Sequence, residues 1–479
     1  MDSTRTKTAA QANSPAQNKI PQLSLGTNGV RAKFNLLNAQ SAADFAFAFG
    51  LFTKKESKMK NPAVALARDM RLTSPCIHQA AASGLMESGC NALDLGILTS
   101  PASEWAAQHE KCQGLIIVTA SHNPPEWNAL KFVDKDGIAV SRERGKDFNK
   151  FLSKPHEPSL KWNELGTMRG EPQIIQKYQQ AVLQQISKSK IKPLKIIADP
   201  GNGTATLVAP KLLQDLGAEL KVINKELDGT FPNRPSEPIE KNLSKLISEV
   251  KKEKADFGVA WDGDADRVSF VDEKGRWIVG DKCVAICAKW ALLNEKNPQE
   301  KIVATTSATS KVVEDVASQF GAKTIYTDVG APYLAEKMHA NLASIAAGGE
   351  EVGGIVFPKF SLAKDGVFAA CKLMEMASLK PVSKWVDELP SYFNSKTKIE
   401  AGKSQKEKAI KSILAKLKAQ KEGALLPLIG GFRLNLQNEW VLVRASGTED
   451  YIRIFAESSS QKGADSLMSQ YTDLVQKAL

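Results

Sequence analysis

Short apolar runs recur along this chain, separated by longer stretches of helical periodicity, and several of the runs empty into an unusual polar loop. Runs at 115–118, 195–198, 257–260, 301–304 and 343–347 are four to five residues long and rich in Ile, Val and Ala. Runs that short are expected to be buried strands of mostly parallel sheets. Helical periodicity lies between them at 42–51, 205–216, 242–252 and 310–320. Strand and helix in alternation predict two or three α/β units in series.

The end of the chain has a different character. A lysine-rich amphipathic helix is expected at 406–420, strands at 432–436, 440–443 and 451–455, and a last helix at 462–478. That is a separate α+β domain. A length of 479 residues suits about three domains at roughly 150 residues each, with two or four also compatible. With 42% hydrophobic residues there is ample material for several cores, and with 32 Gly and 6 Cys neither a collagen-like chain nor a disulfide scaffold is possible. No run approaches the roughly 18 apolar residues that span a bilayer, so no integral membrane protein is expected.

The balance of 64 basic against 53 acidic residues leaves +11, which suits nucleic acid, a membrane surface or a small anionic substrate. Much of the excess is scattered lysine, at 54–55, 251–252 and within 406–421. No basic stripe is interleaved with aromatics, so neither nucleic acid nor a membrane is the expected partner. Cys76, Cys90, Cys112, Cys283, Cys287 and Cys371 form no Cys-x-x-Cys pair. Cys283 and Cys287 fall on one helix face as core residues, and the usage fits a reducing, cytoplasmic compartment. Residues 1–22 are rich in Ser, Thr, Gln, Asn and Ala without an apolar stretch, so a disordered tail is expected rather than a secretory signal.

In open α/β sheets, ligands bind at the carboxyl ends of strands. Four loops there carry chemistry. The first, 119–125, sets Ser121 and His122 before an Asn-Pro turn, with Asn128 and Lys131 following. A serine at a strand end can be a nucleophile or a phosphate carrier; taken alone, Ser-His favours a plain polar turn, and no Gly-x-Ser-x-Gly elbow supports a hydrolase. The second, 262–267, places Asp262, Asp264 and Asp266 at alternate positions before Arg267. Three such carboxylates can converge on one hard cation, Mg²⁺ or Ca²⁺. Glu273 falls where an EF-hand would have its last ligand, but Arg267 replaces the required glycine and a strand precedes the loop. The third, 348–354, holds Glu350 and Glu351 among glycines, a pattern that can accept from vicinal sugar hydroxyls or serve as a plain turn. The fourth, 444–448, with Arg453 beyond it, offers a guanidinium, two hydroxyls and a glycine turn, which suits a phosphate dianion. A hydroxyl, a carboxylate trio, a diol acceptor and a phosphate clamp together point to phosphoryl transfer on a phosphorylated sugar.

These motifs resemble the α-D-phosphohexomutase superfamily: Thr-Ala-Ser-His-Asn-Pro at 119–124, Asp-Gly-Asp-Ala-Asp-Arg at 262–267, Gly-Gly-Glu-Glu at 348–351 and Arg-Ala-Ser-Gly-Thr-Glu at 444–449, with weaker matches at 26–31, 68–71, 199–203 and 231–235. The resemblance implies an α/β fold: three related α/β domains with mixed sheets, plus a C-terminal α+β domain, around a central cleft. Expected boundaries are 23–168, 169–275, 276–392 and 393–479. It implies a hexose phosphate substrate, a hexose bisphosphate intermediate and a phosphoserine at Ser121. Asp262, Asp264 and Asp266 would hold Mg²⁺ with a phosphoserine oxygen. Lys131 would be the general acid/base, its pKa depressed by burial near Arg267, with His122 and Arg31 in support. Arg267, Glu350, Val352, Arg444, Ser446, Gly447, Thr448 and Arg453 would bind substrate. Monomer and homodimer are both compatible.

Two departures bear on the sugar. Many members read Glu-x-Ser-Gly-His where this chain has Glu350-Glu351-Val352-Gly353-Gly354, so Val352 donates no hydrogen bond and no imidazole follows. The form looks like the archaeal-type branch, where Asn is usual in place of Val352; that resemblance points slightly toward glucosamine phosphate, with relaxed specificity, ahead of mannose and glucose phosphates. Asp450 stands where Pro is common, an added anion beside the clamp unless it turns outward. A Mg²⁺-dependent phosphatase would use an Asp nucleophile and leave Ser121 unexplained; a non-catalytic sugar-phosphate-binding protein would leave the aspartates and Lys131 unexplained.

Overall fold

A strand covered on both faces reads as an unbroken apolar run, and Gly114–Val118 and Phe257–Trp261 are buried at every residue. The computed structural model describes residues 23–479 apart from 24, 27, 141–144, 154–159, 421–422 and 447–448. The expected tail at 1–22 lies outside the described residues, as do Gly447 and Thr448.

Among the described residues the strands form four sheets. In the first, Val30–Lys33, Trp127–Asp134, Gly114–Val118, Ala63–Arg68, Asn91–Ile97 and Met168–Gly170 lie side by side in that order. The second runs Trp277–Ile278, Val268–Asp272, Phe257–Trp261, Lys195–Asp199, Glu219–Val222, and the third Lys323–Thr327, Ile302–Thr306, Ile345–Glu350, Gly354–Val356. The fourth is antiparallel throughout: Phe393–Glu400, Tyr451–Ser458, Trp440–Ala445, Gly431–Asn435, Ala424–Leu428.

The first three sheets are mixed, and the way they mix positions the site. In each, a parallel strand ends in a chemistry-bearing loop and the chain returns beside it as an antiparallel hairpin partner. Val118 pairs with Leu130 across the serine loop, Trp261 with Val268 across the aspartate loop, and Glu350 with Gly354 across the glutamate turn. The expected third loop is therefore shorter than its glycines suggest. Gly348, Gly349 and Glu350 belong to the strand Ile345–Glu350, and only residues 351–353 turn.

One apolar cluster runs through the first three units, joining Leu115 and Ile117 to Ile196 and Val259 and on to Val303 and Ala347. Cys283 and Cys287 are both buried in it, on the helix Gly280–Leu293. The fourth unit has its own cluster, with Phe432, Val443 and Ile454 under helices Lys403–Gln420 and Gln461–Ala478. Four sheets underlie the four proposed domains. Because Met168–Gly170 still pairs with Asn91–Ile97, we propose that the first boundary lies after Gly170. No described helix is long and apolar enough to cross a membrane.

Candidate active site

Ser121 follows the strand Gly114–Val118 and adopts φ of +53°, a left-handed conformation that costs a non-glycine residue energy and must be held in place. Arg71 holds it. Its guanidinium is fully buried, and Nη2 donates to Ser121 O at 2.9 Å and Asn123 O at 2.7 Å. Nη1 donates to Pro124 O at 2.6 Å and Trp127 O at 3.1 Å, while Nε is held by Asp69 Oδ2 at 3.0 Å. With its backbone fixed, Ser121 directs Oγ at Asp262 Oδ2, 2.6 Å away.

The aspartate loop reaches Ser121 because of Gly263, where a Cβ would stand 2.7 Å from Ser121 O. Asp262, Asp264 and Asp266 are all buried and each offers an oxygen within 4.8 Å of the others. Their oxygens divide in a telling way. Asp264 Oδ2 accepts from Lys131 Nζ and Ser100 Oγ, both at 2.6 Å, and Asp266 Oδ2 faces Lys131 at 3.4 Å and Lys364 at 3.3 Å. The other oxygen of each, Oδ1, is buried without a partner. Two orphaned carboxylate oxygens beside Asp262, an all-oxygen set, fit a hard divalent cation. Glu273 takes no part: its carboxylate accepts from Ser383 N.

Charge in the loop is graded. Burial, then the carboxylates of Asp264 and Asp266, push Asp262 well above the ordinary range. Burial also works against ionising Asp264 and Asp266, but Lys131 for the one and Lys364 with Lys131 for the other outweigh it, so both are held below the usual value. Arg267 donates to Glu237 Oε1 at 3.0 Å, and its buried Nε has no partner.

Lys131 does not behave as expected. Burial pulls its pKa down, but Asp264 and Asp266 more than offset this, and the pKa rises. The lysine is thus presented as an ammonium, because its nearest neighbours are carboxylates rather than Arg267. His122 Nδ1 lies 3.3 Å from Ser121 Oγ. Burial, then Arg267 and Arg31, lower its pKa to about 3, so the ring is neutral at ordinary pH. Arg31, whose pKa burial lowers, donates to Asn123 Oδ1 at 2.5 Å and so joins the serine loop.

The glutamate turn meets the aspartate loop through Lys364, whose Nζ lies 3.0 Å from Glu350 Oε2. Glu351 faces away, accepting from Thr306 Oγ1 at 2.9 Å, and Val352 is exposed at the tip. Gly353 sits at φ +84°, and a Cβ there would come within 2.3 Å of Val268 O, so the turn admits no side chain at that position.

Direct contacts thus bring the serine, aspartate and glutamate loops together. The fourth loop is carried by a unit that docks on the third. Fully buried Arg433 donates to Ser307 O and Thr309 O, each at 2.9 Å, and is sandwiched between the rings of Tyr326 and Trp440. Arg444 and Arg453 are direct cross-strand partners and so share a face of the sheet. Arg444 has a buried Nε without a partner; burial lowers its pKa, opposed by Asp328. Arg453 is exposed and donates to Tyr451 Oη. Ser446 Oγ accepts from Glu449 N at 3.1 Å. Asp450 does turn outward, 81% exposed, and its ion pair is with Lys406 at 3.4 Å.

Arg71, Lys364 and Lys406 were not among the expected site residues. Arg71 lies in the Arg-Asp-Met-Arg run at 68–71, a recognisable signal without an evident role. Lys364 and Lys406 have no local signature. Lys406 is buried and donates to Ser446 O and Glu449 O, on either side of the fourth loop's end. Glu104 was also missed: burial lifts its carboxyl to about 8, against the pull of Lys131.

Comparison with known proteins bears on the whole chain. Family models described as phosphoglucomutase/phosphomannomutase match it in sequence order: the first alpha/beta/alpha domain at 22–155, the second at 176–275, the third at 279–393 and the C-terminal domain at 397–474. A phosphoglucomutase/phosphomannomutase of Thermococcus kodakarensis is 38% identical over 95% of this chain and 98% of the relative. A phosphoglucosamine mutase of Methanocaldococcus jannaschii is 32% identical over 95% of this chain and 98% of its own length. The crystal structure of a phosphoglucomutase/phosphomannomutase family protein from Burkholderia thailandensis superposes with a TM-score of 0.82 at 23% identity, covering 95% of this chain and 98% of that one, which shows a shared fold. Since all four domains occur in order and relatives align along nearly the full length, the chain belongs to the phosphoglucomutase/phosphomannomutase family.

Proposed function

We propose that this protein is a phosphohexomutase that interconverts hexose 6-phosphate and hexose 1-phosphate through a phosphoserine at Ser121 and a hexose bisphosphate, with glucosamine phosphate as its preferred sugar. The observation that carries this reading is the 2.6 Å contact between Ser121 Oγ and Asp262 Oδ2. It sets a buried hydroxyl, on a left-handed backbone, against the carboxylate cluster that could hold a cation to neutralise phosphoryl oxygens.

Asp262, Asp264 and Asp266 would hold Mg²⁺, whose charge would offset that of the phosphoryl group in transfer. Arg71 keeps Ser121 oriented. As the sugar hydroxyl takes the phosphoryl, the bond to Ser121 Oγ breaks; Lys131, an ammonium held by Asp264 and Asp266, would give a proton to Oγ and take in its place the one the sugar hydroxyl loses. Arg31 and Arg267 add positive charge around the group in transfer. Glu350 accepts from the sugar, and Arg444 with Arg453 binds the phosphate that is not reacting. Turning the bisphosphate over exchanges the two phosphates, and the reverse step restores phosphoserine. The glucosamine preference is supported by the glutamate turn, which lacks Ser and His, and by the relative named for that sugar.

A coupled assay of the purified protein with glucosamine, mannose and glucose phosphates, with phosphopeptide analysis of Ser121, tests this. Phosphate on Ser121 and highest kcat/KM for glucosamine phosphate are expected. Activity without phosphate on Ser121, before or after exposure to hexose bisphosphate, would sink the carrier role; a higher kcat/KM for mannose or glucose phosphate would reverse the sugar assignment.

A further inference from the structure

The glutamate turn has no side-chain donor of its own, since Val352 is apolar and Gly353 and Gly354 follow it. A buried donor from elsewhere stands beside it. Lys364 Nζ lies 3.0 Å from Glu350 Oε2 and 3.3 Å from Asp266 Oδ2, with its side chain only 10% exposed. An ammonium has three N–H groups. Glu350 takes one of them in a hydrogen bond and Asp266 lies within ion-pair distance, so at least one N–H is left over.

The backbone around Lys364 is fixed on either side. Asp365 N donates to Ile355 O at 2.8 Å, and Gly366 N to Ala265 O, in the aspartate loop, at 3.2 Å. The Asp365 side chain caps the helix Gly366–Leu379 through Phe368 N and also accepts from Tyr178 Oη at 2.6 Å. The fixed backbone places the root of the side chain, and the ion pairs with Glu350 and Asp266 hold its ammonium. Glu350 Oε2 accepts from Lys364 Nζ, so acceptor and donor stand side by side.

We propose that Lys364 is a specificity-determining residue of the sugar site, donating its third N–H to a ring hydroxyl while Glu350 accepts from another. This rests on the mutase reading and deepens it. An ammonium needs a lone pair, so the ring position it meets must carry a hydroxyl rather than a protonated amine. Lys364 thereby supplies the donor that the turn lacks, and it ties sugar recognition to Asp266.

The test is calorimetric titration of glucosamine 6-phosphate and of glucose 6-phosphate analogues, each lacking one ring hydroxyl, into wild type, Lys364→Met and Lys364→Gln. Binding is read without turnover, so a failed mutase assay on wild type would count against the mutase reading alone. Lys364→Met should weaken glucosamine 6-phosphate by about ten-fold or more, the loss of one charged hydrogen bond, while Lys364→Gln, which keeps an N–H donor, recovers part of it. One deoxy analogue should bind wild type at least about ten-fold more weakly than glucose 6-phosphate, and that difference should vanish in Lys364→Met. Unchanged affinity in Lys364→Met overturns the proposal. So does an equal loss for every analogue in both variants, which would mark Lys364 as structural only.

Discussion

Lys131 Nζ and Asp264 Oδ2 lie 2.6 Å apart with both side chains withdrawn from water, at 4% and 1% exposure. The pair links a strand of the first unit to the aspartate loop of the second. Removing one partner leaves a buried charge uncompensated, at a cost of about 3–5 kcal/mol. Lys131→Met is therefore expected to lower Tm as well as kcat, the latter by about 10²–10⁴-fold if Lys131 is the proton donor. Lys131→Arg should restore Tm but little of kcat. Steady-state kinetics beside scanning calorimetry separate the two roles; full kcat in Lys131→Met removes Lys131 from the chemistry.

Asp264→Asn keeps the shape of the loop but removes one ionised ligand. Weaker Mg²⁺ binding and activity lower by orders of magnitude are expected, with a lower Tm because Lys131 loses its nearest counter-charge, but with the fold retained. Circular dichroism and a Mg²⁺ titration of activity check this. Wild-type turnover at limiting Mg²⁺ would show that the trio does not hold the catalytic ion.

Arg71→Lys replaces a five-donor fork by three N–H groups, so at least one of Ser121, Asn123, Pro124 and Trp127 loses its buried partner. Each unmade bond costs about 1–3 kcal/mol. A lower Tm and slower phosphorylation of Ser121 by hexose bisphosphate are expected, read by time-resolved intact mass. If Ser121 takes up phosphate at the wild-type rate, its left-handed backbone does not depend on Arg71.

Arg444 is expected to act mainly through uniform binding of the distal phosphate. Arg444→Lys and Arg444→Ala should raise KM strongly and lower kcat less. The loss in kcat/KM should be about ten- to hundred-fold, the worth of one charged hydrogen bond. Unchanged kcat/KM in both variants places this turn outside the cleft.

Asp281 gives a pH-dependent prediction. It is buried, accepts from Ser310 N at 2.7 Å, and has a pKa raised from 3.8 to about 7 by burial, with Glu351 and Glu457 adding to the effect. The fold keeps this proton up to about pH 7, whereas the unfolded chain releases it near 3.8. Stability from this group is therefore present below 3.8 and lost as pH rises through about 7. At about 1.36 kcal/mol per pH unit, the effect is bounded near roughly 4 kcal/mol. Asp281→Asn should raise Tm at pH 8 and leave it nearly unchanged at pH 4. A Tm that falls equally at both values would contradict it.

The loops of this protein are local in sequence, and so they were legible. Ser121-His122 after an apolar run, and Asp262, Asp264 and Asp266 at alternate positions, carry their chemistry in spacing alone. The strands at 115–118 and 257–260 showed as unbroken apolar runs because both faces are covered. What tertiary structure decided was who meets whom. Arg71 reaches Ser121 across 50 positions of chain and Lys131 reaches Asp264 across 133; no periodicity spans such separations. Packing between the units did the rest, since the strand-end loops meet through contacts such as Ser121 with Asp262 and Lys364 with Asp266. The Lys131 pKa rises where the resemblance implies a fall, for the same reason: its direction depends on the Asp264 and Asp266 carboxylates within a few ångströms, and that is a property of packing, not of neighbours along the chain.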